Sequence, residues 1–85
     1  MAYDPLEVDR IRAKRKAAAA NAQQFLDMAN KLEAFAEQNV LNDQTPATVK
    51  MHRAAIQVRF LAEGHARNLA QIAEQPLVVG PNGPH

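Results

Sequence analysis

The stretch Val40-Leu41-Asn42-Asp43-Gln44-Thr45-Pro46 decides the fold, because it separates two long helical runs. Before it, Leu6 to Asn39 holds neither glycine nor proline; after it, a second run continues to about residue 75. Asn39 and Asn42 suit a left-handed cap at a helix C-terminus. Thr45 suits the N-cap of the next helix, and Pro46 its first position, where a missing N–H costs nothing. A connection this short joins antiparallel neighbours. The sequence therefore predicts an all-α fold: a long, coiled-coil-like antiparallel two-helix hairpin over residues 1–75, with a helix at 5–39, a turn at 40–45 and a helix at 46–75. An extended tail containing proline and glycine follows at 76–85.

Working back from the turn, the first helix has a defined start. Asp4 can cap it, Pro5 fits the first position, Glu7 completes a capping box, and Tyr3 can staple onto Val8. Val8, Ile11, Ala18, Ala22, Phe25, Ala29, Leu32 and Ala36 then recur at steps of three, four and seven, and Met28 and Phe35 widen that face. In the second helix Met51, Ala55, Val58, Ala62, His65, Leu69 and Ile72 form the matching face, flanked by Ile56, Phe60, Leu61 and Ala73. Gly64 is its weak point, costing about 1 kcal/mol against alanine in mid-helix, and continuity of the helix through it is left open, with a bend or break as the alternative. The expected interface and core are Val8, Ile11, Ala18, Ala22, Phe25, Leu32, Met51, Val58, Leu61, Ala62, Leu69 and Ile72. A hairpin closing between Asn39 and Pro46 sets Ala18–Ala22 against Gly64–Ala66, Phe25 against Phe60 and Ile11 against Glu74.

Composition limits what such a hairpin can hide from water. The chain is 47% hydrophobic, but alanine supplies much of that share, and Tyr3, Phe25, Phe35 and Phe60 are the only aromatic residues. Two slender helices of this kind bury little apolar area, so self-association or a partner is expected to complete the core, most simply as an oligomeric helical bundle. With no cysteine, neither a disulfide nor a thiolate site can substitute. No apolar run reaches the ~20 residues that span a bilayer. The opening MAYDPLEVDR carries acids where an export signal carries bases, so the expected location is cytoplasmic or within a virion, without membrane attachment. In the tail, Leu77, Val78 and Val79 form an apolar triplet suited to docking on the hairpin base or on a neighbouring chain.

Candidate chemistry is sparse. Arg10, Arg12, Lys14, Arg15 and Lys16 form a basic run that can contact phosphates, with Lys50, Arg53, Arg59 and Arg67 as further cations. These five residues spread around the helix, however, and no aromatic residues interleave with them. Acids dominate from Asp27 to Asp43, so the hairpin is expected to be polarised, basic toward its open end and acidic toward its turn. His52, His65 and His85 show no metal-ligand spacing, and His65 falls on the apolar face. Glu33 and Glu37 lie one turn apart without a catalytic partner nearby in sequence. There is no nucleophile elbow, phosphate loop or metal motif. No catalytic residue, cofactor, metal or small-molecule substrate is expected.

The Trp-x-Gly turn of small secreted helical hairpins is absent from residues 40–45. The base ring of helical chorismate mutases, which share the long first helix, finds no matching residues. The expected function is that of a non-enzymatic structural subunit, a hairpin that oligomerises or docks in a larger particle such as a small bacteriophage virion component. The alternatives are a nucleic-acid-binding module using Arg10–Lys16, or a small inhibitor laying one helix into a groove of a host protein.

Overall fold

The computed structural model describes residues 4–77. Helix α1 spans Pro5–Asn42, helix α2 spans Pro46–Glu74, and the two pack side by side as a hairpin. The molecule is a rod with extents of 64 × 15 × 13 Å. Its radius of gyration, 19.4 Å, far exceeds the ~12 Å of a compact chain of this length.

The helix ends follow from local chemistry. Pro5 opens α1 as expected, and the Val8 N–H donates to the Asp4 carbonyl at 2.8 Å. The Asp4 side chain makes no cap bond, so the expected box with Glu7 does not form. Tyr3 lies outside the described residues. At its other end α1 runs three residues past Asn39. Val40, Leu41 and Asn42 include no helix breaker, and the Asp43 N–H still reaches the Asn39 carbonyl at 2.9 Å. Asp43 then leaves in an extended conformation, and no described residue adopts positive φ, so the expected left-handed asparagine cap is absent.

The start of α2 is more tightly specified. The Thr48 N–H donates to Thr45 Oγ1 at 3.2 Å, and the Thr45 N–H donates back to Thr48 Oγ1 at 2.9 Å. Pro46 has no N–H, so this reciprocal pair satisfies two of the three N–H groups that the helix start leaves orphaned. The Thr48 hydroxyl in turn donates to the Asp43 carbonyl at 2.7 Å, tying the turn to the helix that follows. Threonine thus fills the position that glutamate or glutamine takes in the commoner box. No break occurs at Gly64, where α2 continues uninterrupted. The helical ladder is satisfied there, and a Cβ at Gly64 would meet open space.

The two helices meet on alanine. Val8, Ala22, Ala29 and Ala36 are the buried residues of α1; Ala55, Ala62 and Ala66 are those of α2. On α1 these positions fall on one line with a period of seven, and the half-buried Arg15 fills the remaining place. A methyl side chain on the contact line lets two helix axes approach closely, and longer side chains must then splay to either flank. This corrects part of the expected core: Phe25, Leu32, Met51 and Leu61 stand outside it, with Leu61 75% exposed. Ile11, Ala18, Val58, Leu69 and Ile72 are half-buried along its edges. Ala18 and Ala22 line one groove with His65, as the expected register sets them, and with Leu69, while Phe25 lines another with Val58 rather than Phe60. Phe60 points away from the seam, its ring 4.6 Å beneath the Arg59 guanidinium.

Candidate assembly surface

Close contact on alanine gives the rod two flanks, and they differ. On one, Leu26 and Ile56 are half-buried, and the charged residues one heptad beyond them close the groove. Arg59 Nε donates to Glu33 Oε2 across the helices, Arg59 Nη1 donates to Glu63 Oε2 at 3.1 Å, and Arg67 Nη2 lies 3.6 Å from Glu63 Oε1. The first pair is mostly shielded from water, and the four charges form one linked chain along this flank. This flank is complete within one chain.

The other flank is open. Phe25, Met28, Leu32 and Phe35 follow one another at steps of three, four and three, so they share one stripe of α1. All four are among the exposed large hydrophobic residues. On α2 the half-buried Val58 and Ile72 continue this flank, joined by Met51, Leu61 and His65. Two grooves run between the helices here. One, of about 320 Å³, is lined by Phe25, Met28, Ala29, Leu32 and Val58. The second, of about 480 Å³, is lined by Ala18, Asn21, Ala22, Phe25, His65 and Leu69. Neither is lined by an acid, a lysine or an arginine. Alanine forms part of each floor and bulky side chains the walls, which is a ridge-and-groove surface suited to receiving other helices.

The basic run does not come together as one surface. Arg10, Arg12, Lys14 and Lys16 are exposed on several sides of α1. Arg15 is turned inward: its Nη1 lies 3.4 Å from both the Ile72 and the Gln75 carbonyl oxygens. These belong to the end of α2, where carbonyls lack intrahelical partners and the helix dipole favours a cation. Arg15 is thus a cap supplied by the neighbouring helix. Its place seven residues from Val8 and from Ala22 was the readable sign that it faces α2. Of the remaining cations, Arg59 and Arg67 are engaged by Glu33 and Glu63, while Lys50 and Arg53 stand in the half of the rod nearer the turn. Lys50, Arg53 and Arg59 there oppose Asp27, Glu33, Glu37 and Asp43, so the charge polarity belongs to α1 and not to the hairpin as a whole.

Glu33 of the Glu33–Glu37 pair is likewise committed to Arg59. Among the described residues no three histidine, aspartate, glutamate or cysteine side chains group as metal ligands, and no helix is long and apolar enough to cross a membrane. In the tail Leu77 is half-buried, at the end of the rod where Val8 is also buried. Val78 and Val79 lie outside the described residues. Compared with known protein families, curated proteins and solved structures, the chain matches none.

Proposed function

We propose that this chain is a structural assembly subunit, a rigid hairpin that completes its hydrophobic core by packing the open flank against further helices. One observation carries this reading. The seam buries six alanines and one valine, while nine large apolar residues remain between 46% and 81% exposed. A monomeric protein seldom leaves a contiguous apolar patch of more than a few hundred Å² in water, and larger ones mark interaction sites. Here Phe25, Met28, Leu32 and Phe35 form such a patch on one helix, with no charged residue in the grooves beside them. The same grooves hold His65 as their sole titratable side chain, which favours packing over catalysis. Sedimentation equilibrium of the purified chain tests the reading. The expected mass is a multiple of the 9.4 kDa monomer. A well-folded monomer at every concentration would contradict it.

A further inference from the structure

We infer that the occupant of the open flank is a second copy of this chain, stacked face to face and antiparallel about a two-fold axis to form a four-helix bundle. This rests on the assembly reading and specifies its partner and geometry. The α1 stripe reads Phe25, Met28, Leu32, Phe35, with steps of three, four and three. Spacing and size are both symmetric about the stripe's centre, with the phenylalanines outside and the two flexible aliphatic side chains inside. A two-fold interface demands such self-complementarity, because each residue must fit what the operator brings onto it. Laid antiparallel on its own copy, the stripe sets each Phe25 against the partner's Phe35 and each Met28 against the partner's Leu32.

The grooves fit the same arrangement. The one lined by Phe25, Met28, Ala29, Leu32 and Val58 adjoins the ridge that would fill its counterpart in the other copy, so ridge and groove lie on one face. The area is adequate. Phe25, Met28, Leu32, Phe35, Met51 and Leu61, each about half exposed or more, present roughly 600 Å² of apolar surface at ~100 Å² apiece. Full burial of that surface on both copies removes about 1,200 Å², where stable interfaces begin. Charge agrees as well. Lys14 continues the stripe toward the open end of the hairpin, and the antiparallel order carries it to the partner's turn. There Asp43 and the last carbonyls of α1 supply negative charge.

The chain has no cysteine, so one introduced at Gln44 in the exposed turn gives a unique spin-label site. Gln44 lies about fourteen residues from the stripe's centre, so the antiparallel dimer places two labels roughly 40 Å apart at 1.5 Å per residue. Turn-beside-turn packing would place them within about 25 Å. Phe35→Glu is expected to weaken the dimer at least about a hundredfold, since the change enters the interface twice. Phe60→Glu, on the outer surface, should leave it unchanged, with circular dichroism reporting the helicity of both variants. An oligomer that persists in Phe35→Glu, or one with Gln44 labels at the shorter distance, overturns this geometry and leaves the assembly reading standing. A folded wild-type monomer overturns both.

Discussion

The two flanks of the hairpin are built on one seam and finish differently. On the closed flank, Leu26 and Ile56 are half-buried, and the linked charges of Glu33, Arg59, Glu63 and Arg67 follow them along the same edge. On the open flank, the corresponding places hold Phe25, Leu32, Val58 and His65, and no charged side chain among the described residues closes over them. The difference lies in what each flank requires of its surroundings. Charged side chains with long aliphatic stems can end a hydrophobic layer, whereas phenylalanine, leucine and methionine extend it. One flank terminates the fold and the other continues it into a further layer.

The seam that both flanks share is where the contrast breaks most easily. Ala62→Leu puts a bulky side chain on the line of closest approach, where neighbouring methyls leave no room, and should cost about 1–3 kcal/mol by overpacking. Thermal melting by circular dichroism checks this against Ala34→Leu, an exposed position expected to change stability by less than ~0.5 kcal/mol. Gly64→Ala should act in the opposite sense, stabilising by about 1 kcal/mol, because the added methyl meets open space and the helix is continuous there. The smallest effect belongs to the closed flank. Glu33→Gln removes one interhelical charge pair and should cost less than about 1 kcal/mol, with no loss of assembly by sedimentation. If Glu33→Gln dissociated the assembly, the assignment of the two flanks would be reversed.

Much of the fold was legible in the sequence, for identifiable reasons. Proline and threonine at the start of α2 constrain the backbone directly, and the absence of glycine and proline from Leu6 to Asn39 leaves a helix as the natural outcome. The C-terminal limit of α1 was not legible, because Val40, Leu41 and Asn42 permit a helix as readily as a turn. The composition of the core was half legible. Periodicity identified the face but ranked its residues by hydrophobicity, whereas close packing ranks them by size, placing Ala29 and Ala36 inside and Leu32 and Phe35 outside. The role of Arg15 was hidden in a basic run that resembles a charged surface, although its heptad position marked it as facing α2. The open flank could not be located from periodicity alone, because the stripes that line it and those that form the seam overlap on α1.

The central claim is that the hairpin's stability depends on copies packing on its open flank. Thermal melts of the intact chain across a hundredfold dilution test this most directly, because folding linked to association makes the midpoint depend on concentration. A Tm that falls steadily on dilution is the predicted result. A sharp, cooperative transition at the same temperature throughout would show that the alanine seam suffices, and would contradict the account.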